Sequence, residues 1–216
     1  MPNYTIATYN IRFMNSLFER NAVKEDKVDR AKDIASVINR RDPHVLAINE
    51  AANADEEHQH FIDNYLGGRY QVVSGRSRGS QNLVFYIRAP FQVVYVDEAD
   101  NFYDPWNIDI DRDTVTERMR WERKPLEMVL RIGSGGGGPL IRFINVHAKS
   151  KGIFDVVDLA RFETISLGNR KKLIAQAVRL RERLDEFLQE SPPLPTVVLG
   201  DMNDGPGLDP YERQLG

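Results

Sequence analysis

Two spacings of apolar residues alternate along this chain, one of period two and one close to 3.6. The stretch "YTIATYNI" (4–11) mixes β-branched and aromatic residues and predicts a strand. In "KEDKVDRAKDIASVINRRDP" (24–43), Val28, Ala31, Ile34, Ala35 and Ile38 recur at helical spacing, and Pro43 helps to end the helix. "HVLAINE" (44–50) is a short apolar run that predicts a buried strand. "EEHQHFIDNYLGG" (56–68) predicts a helix closed by glycine. Strand-like runs follow at 70–75, 82–88 and 91–98, and the two residues Ala89 and Pro90 between the last pair predict a tight hairpin.

Residues 99–122 are polar and irregular and predict a long loop carrying Phe102, Tyr103, Trp106 and Trp121. "LEMVLRI" (126–132) and "LIRFINVH" (140–147) predict a second hairpin. Its tip, "GSGGGGP", is not a phosphate-binding P-loop, because no Gly-Lys-Ser/Thr follows. "NRKKLIAQAVRLRERLDEFLQE" (169–190) is the clearest helix, with Leu173, Ile174, Ala177, Leu180, Leu184 and Leu188 on one stripe. Pro192, Pro193 and Pro195 stop it and feed a last strand, "TVVLGD". Many strands with few helices predict a mixed α+β protein with helices outside the sheets, here as one domain over 1–216.

Composition narrows the class. The 216 residues are 41% hydrophobic and 28% charged, an ordinary globular balance. No apolar run approaches the ~20 residues of a transmembrane helix, and the N-terminal stretch has no basic and apolar secretory pattern. The chain has no cysteine, which removes thiolate metal sites and fits a reducing, cytoplasmic setting. The net charge of −3 means that a polyanion must be gripped by a local patch.

Polar residues end several of the apolar strands: Asn10, Glu50, Asn145 with His147, and Asp201 with Asn203. A polar turn follows many buried strands, so each is a weak signal alone. Strand ends are also where sheet proteins build sites, and four together point to one. Carboxylate and amide oxygens suit a hard cation such as Mg²⁺. The "HQH" at 58–60 offers no zinc pair, since residues two apart on a helix do not face each other, and a solvated helix face accounts for it better. Basic residues cluster nearby: Arg123 and Lys124, Lys149 and Lys151, and Arg170, Lys171 and Lys172 at the start of the long helix. Cations at a helix N-terminus oppose its dipole, which suggests an anion beside them. A hard-metal carboxylate, amides, one imidazole and a basic rim together point to phosphoester chemistry.

These residues resemble the endonuclease/exonuclease/phosphatase superfamily, the fold of pancreatic deoxyribonuclease. "TYNIR" is similar to its first strand, "LAINE" to the strand ending in the metal-binding glutamate, and "ERKPLEMVLRI" to a segment with an arginine before a proline and a strand. "INVHAKS" and "VVLGDMND" are similar to the His-bearing strand and the Gly-Asp-x-Asn motif. The resemblance implies a two-layer mixed β-sandwich flanked by helices. It implies Glu50, with Asn10 and Asp201, as metal ligands for Mg²⁺, Mn²⁺ or Ca²⁺. It implies His147, Asp201, Asn203 and Asn10 as catalytic residues, and Arg123, Asn145 and Lys149 as substrate-binding ones. Deoxyribonuclease-like members place a glutamate beside the counterpart of His147, and Gln81 falls at that position here. The family closes with a further aspartate and an Asp-His pair, whereas this chain stops at "YERQLG". The expectation is therefore a domain incomplete at its C-terminus, with the last strands missing.

The implied function is metal-dependent phosphodiester hydrolysis, with nucleic acid as the first substrate class. A phosphoesterase for lipid or inositol headgroups is the alternative, since Asn-x-His also fits that branch and the aromatics of 99–122 would suit a lipid surface. A non-catalytic binding domain is the third reading, favoured if the chain ends at Gly216.

Overall fold

A computed structural model describes residues 3–76, 79, 81–97, 102–133, 135–153 and 158–205. In chain order the elements are β1 (Ile6–Asn10), a 3-10 turn (Met14–Leu17), β2 (Phe18–Glu19), β3 (Ala22–Val23), a second 3-10 turn (Glu25–Lys27), α1 (Val28–Arg41), β4 (Val45–Ala51), α2 (Asp55–Tyr65), β5 (Gln71–Ser74), β6 (Asn82–Ile87), β7 (Phe91–Val96), β8 (Trp106–Ile108), β9 (Glu117–Met119), β10 (Leu126–Ile132), β11 (Leu140–His147), α3 (Leu159–Leu188) and β12 (Thr196–Asp201). The chain divides into two compact units. The first is Met1–Ala99, Arg123–Val146 and Leu194–Asp201; the second is Asp100–Glu122, His147–Pro193 and Met202–Gly216.

The first unit is a sandwich of two four-stranded sheets, ordered β1-β4-β6-β5 and β12-β11-β10-β7. The predicted strand, helix and strand at the start form a parallel pair, β1 with β4, joined through α1 as a parallel crossover requires. Period-two alternation sends Val45, Ala47, Leu83, Phe85 and Ile87 of one sheet against Leu126, Met128, Leu130 and Phe143 of the other. On the opposite face, Leu46, Ile48, Val84 and Tyr86 meet the helical stripe Ala31, Ile34, Ala35 and Ile38, with Phe61 and Ile62 of α2. Each fully buried Leu, Ile or Phe contributes roughly 1.5–3 kcal/mol. His58 turns into this core rather than to solvent. Its Nδ1 lies 2.7 Å from the Tyr86 hydroxyl and its Nε2 3.1 Å from the Ala52 carbonyl, and burial holds its pKa below the usual histidine value.

The runs 82–88 and 91–98 do not form the predicted hairpin. β6 is buried along its whole length and already pairs with β4 on one side and β5 on the other, so it has no edge left for β7. The Ala89–Pro90 link instead hands the chain to the other sheet, where β7 pairs with β10. The hairpin of β10 and β11 forms as expected.

In the second unit the stretch predicted as a loop holds a short hairpin, β8 with β9. Three-residue strands are too short to show a period. Its aromatics are packed rather than displayed: Tyr103 and Trp121 are buried with Ala148 and Leu173, and Phe102, Trp106 and Leu180 pack against them. Arg179 donates to the Phe102 carbonyl at 2.9 and 2.8 Å and lies over the Phe102 ring. The long helix begins at Leu159, well before 169, and the Asp158 side chain caps it by accepting from the Ala160 N–H at 3.0 Å. Gly168, one residue before the predicted start, lies inside the helix at a cost of about 1 kcal/mol relative to alanine. Arg170, Lys171 and Lys172 are therefore mid-helix, and the dipole argument for an anion beside them does not hold. Among the described residues, no helix is long and apolar enough to cross a membrane.

Candidate active site

The site grows from an irregularity in β4. Pairing with β6 shifts register between Ile48 and Ala51, and Glu50 takes a φ of 55°, a left-handed conformation rare for a residue with a side chain. Two buried asparagines beside it bridge the strands. Asn49, fully buried, donates to the Asn145 Oδ1 at 3.0 Å and to the Val146 carbonyl at 2.9 Å. Asn145, also fully buried, donates to the Ile48 and Val84 carbonyls at 3.1 and 3.3 Å. Asn145 thus bolts β11 of one sheet to β4 and β6 of the other, and its amide is engaged in the interior. Close approach continues at Gly200 in β12, with φ of 131°, where a Cβ would stand 2.0 Å from the Val146 carbonyl oxygen.

With the backbone so fixed, three strand ends meet. The Asn10 amide nitrogen donates to Glu50 Oε1 at 3.2 Å and to Asp201 Oδ2 at 2.7 Å. The Asn10 oxygen accepts from the Arg12 N–H at 3.0 Å, which fixes the orientation of the amide. Glu50 Oε2 accepts from the Phe13 N–H at 3.1 Å and from Gln81 Nε2 at 2.8 Å. Gln81 Oε1 in turn accepts from Arg123. Arg30 braces the segment after β1, donating to Ser16 Oγ at 3.0 Å and to the carbonyls of Ile11 and Arg12. A cleft of about 280 Å³ opens beside Asn10, walled by Tyr9, Arg12, Ile34 and Val37.

Asn10, Glu50 and Asp201 are thus brought together, with Arg123 linked through Gln81. His147, Lys149 and Asn203 belong to the second unit. His147 ends β11 and is 6% exposed. The Lys149 N–H donates to Gln176 Oε1 at 2.7 Å, and Asn203, with φ of 50°, donates to the Ala148 carbonyl at 3.0 Å. Several cations of the predicted rim face acids of the same unit: Lys151 faces Asp204, Lys171 faces Asp111 and Glu117, and Lys172 faces Glu122. Asp109, Asp111 and Asp113 bring carboxylate oxygens within 4.8 Å of one another. Lys171 supplies a cation there, and its hydrogen bond holds the Asp111 carboxyl below the usual aspartate value. Sequence reasoning passed over Asn49. The signal was its parity: Val45, Ala47 and Asn49 share the face turned toward the second sheet, so a polar residue there must find buried partners.

Residues 7–216 match the endonuclease/exonuclease/phosphatase family. The chain belongs to that family. Solved structures similar to it include a D. rerio TDP2 humanized by 14 mutations, with 13% identity over 94% of this chain and 67% of that chain, at a TM-score of 0.53. Selenomethionine TDP2 from Caenorhabditis elegans follows, with 17% identity over 89% of this chain and 45% of that one, at 0.50. A truncated C. elegans TDP2 has 17% identity over 89% and 60%, at 0.49. At such identities the likeness is one of fold, that of the family's two-sheet sandwich. The chain spans 45–60% of the length of these C. elegans chains. No curated protein sequence matches it.

The donor set fits the hard divalent cation that members of this family generally use. Glu50 and Asp201 present carboxylate oxygens to one shared amide group, and Mg²⁺ needs only one or two carboxylates with water completing its shell. Asn10 turns its nitrogen, not its oxygen, to these acids, so in this arrangement it orients the two carboxylates.

Proposed function

We propose that the chain is a divalent-metal-dependent phosphodiesterase that acts on nucleic acid. The observation that carries the reading is the Asn10 amide bonded at once to Glu50 and Asp201, three polar residues from three strand ends converging on one point. Membership of a family described by its endonucleases, exonucleases and phosphatases supports the same chemistry. Glu50 and Asp201 would hold the cation, which when bound neutralises charge on the phosphoryl and leaving oxygens. Asp201 would also orient the attacking water and take its proton. Arg123 would donate to a non-bridging oxygen of the phosphodiester. Such preorganised donors act without reorganising at the moment of reaction. The aromatics that would have favoured a lipid surface lie in a packed cluster, which removes the main support for that reading.

The test is hydrolysis by the purified chain of plasmid DNA, abasic DNA, inositol phosphates and sphingomyelin, each with Mg²⁺, Mn²⁺, Ca²⁺ or a chelator. Metal-dependent cleavage of DNA is the expected result. Turnover confined to sphingomyelin or inositol phosphates would move the protein to the alternative branch, and turnover of none would remove the enzymatic reading.

A further inference from the structure

Gln81 occupies an unusual place in the site. It is 5% exposed, donates through Nε2 to Glu50 Oε2 at 2.8 Å, and accepts through Oε1 from the Arg123 guanidinium. The direction of this amide is set by its neighbours. A guanidinium only donates and a carboxylate only accepts, so the oxygen must face Arg123 and the nitrogen Glu50. Only a side chain with a donor and an acceptor on one planar group can face both at once. A leucine or methionine could face neither. A glutamate would offer an acceptor to each, meeting Glu50 as a like charge and pairing with Arg123 as an opposite one.

We propose that Gln81 is a positioning residue that couples Arg123 to Glu50 while keeping the two charges from pairing directly. The inference rests on the reading of Glu50 as a cation ligand and Arg123 as a phosphate contact. Its consequence is division of labour: Arg123 is held by a neutral amide rather than by the Glu50 carboxylate, which leaves the guanidinium charge for a phosphoryl oxygen and does not set it against a cation at Glu50. A neutral relay also holds both side chains at fixed separation before either ligand arrives, which reduces the ordering cost of binding.

The proposal predicts different Mn²⁺ responses from two variants of similar shape. The probes are Mn²⁺ and inorganic phosphate, titrated separately into the metal-free full chain. In Gln81→Glu, Arg123 pairs with the new carboxylate and phosphate affinity falls about tenfold, the scale of one lost charge-assisted contact. Mn²⁺ affinity is kept or rises, because a second carboxylate now adjoins Glu50. In Gln81→Met, Arg123 is released to pair with Glu50, and affinities for both ions fall severalfold. The Gln81→Met effect on phosphate should vanish in an Arg123→Ala background, since the two residues act as one unit. Circular dichroism and thermal midpoints confirm that each variant is folded. Equal responses of both probes to both variants, or additive effects with Arg123→Ala, overturn the proposal. Wild-type protein that binds both ions but hydrolyses no phosphodiester defeats the enzymatic reading and leaves the role of Gln81 standing. Wild-type protein that binds neither ion defeats both.

Discussion

Acidic side chains gather in each of the two units, and their surroundings differ in kind. In the first, Glu50 and Asp201 accept from the Asn10 amide, and Glu50 accepts also from the Phe13 N–H and the Gln81 amide. In the second, Asp111 and Glu117 face the Lys171 ammonium at 2.5 and 2.6 Å. Neutral donors orient a carboxylate without cancelling its charge, whereas an ammonium does both. Three aspartates with carboxylate oxygens within 4.8 Å of one another look more like a metal site than two acids separated in sequence by 150 residues. The chemistry of the donors argues the reverse. Lys171 meets the triad's charge at Asp111, whereas amide groups orient the oxygens of the strand-end pair.

That comparison breaks or holds most sharply on two isosteric substitutions. Glu50→Gln keeps the shape and removes the charge. Because a metal supplies several kcal/mol of transition-state stabilisation, phosphodiester turnover should fall on the order of a thousandfold, with Mn²⁺ binding weakened in parallel. Asp111→Asn removes a charge from the denser cluster and should leave turnover and Mn²⁺ affinity unchanged. Calorimetric Mn²⁺ titration of both variants beside a rate assay reads the contrast. Loss of Mn²⁺ binding in Asp111→Asn alone would assign the metal to the second unit.

A second experiment asks what holds the strand-end acids in place. Asn145→Ala removes the amide that satisfies the Ile48 and Val84 carbonyls and the Asn49 side chain across the two sheets. Buried groups left without partners cost about 1–3 kcal/mol each, and relaxation recovers part of that, so a loss of about 3 kcal/mol is expected. Urea denaturation of wild type and variant measures it. A loss below about 1 kcal/mol would mean that the sandwich does not depend on this bolt.

How far the sequence reached follows the same physics. The longer strands declared themselves as apolar and β-branched runs, and α1 through its period, because a half-buried helix must repeat apolar residues at fixed spacing. The strand-end residues were legible for a related reason: an acid or amide at the end of an apolar run has left the core and faces something polar. Pairing was not legible. Nothing within 82–98 says that β6 has both edges occupied, since those edges belong to β4 and β5. Nor does sequence show which way an amide points. Asn10 and Asn145 are the same residue at two strand ends, yet one addresses two carboxylates and the other two buried backbone carbonyls. The cations of α3 looked like an anion site because their acidic partners lie fifty or more residues upstream, at Asp111, Glu117 and Glu122.

The last prediction concerns Lys171 itself. Hydrogen bonds first to Asp111 and then to Glu117 raise its pKa above the ordinary lysine range, and the same contact lowers that of Asp111. A lysine whose folded pKa is raised stabilises the fold fully below its unfolded value and loses that contribution only as pH rises through the folded one. An aspartate whose folded pKa is lowered contributes above its unfolded value and loses it as pH falls through the folded one. The contribution is therefore flat between about pH 4 and pH 10. Lys171→Met should remove it, leaving partly exposed acids crowded together, with a small loss of stability that is the same at pH 6 and pH 8. It should also expose the cluster to an external cation. Mn²⁺ titration of the variant should reveal a second, weaker binding event that is absent from wild type and disappears again in Lys171→Met with Asp111→Asn. If the variant loses stability but gains no second event, the ammonium was bracing the hairpin rather than standing in for a cation, and the contrast between the two acidic clusters would rest on Glu50 and Asp201 alone.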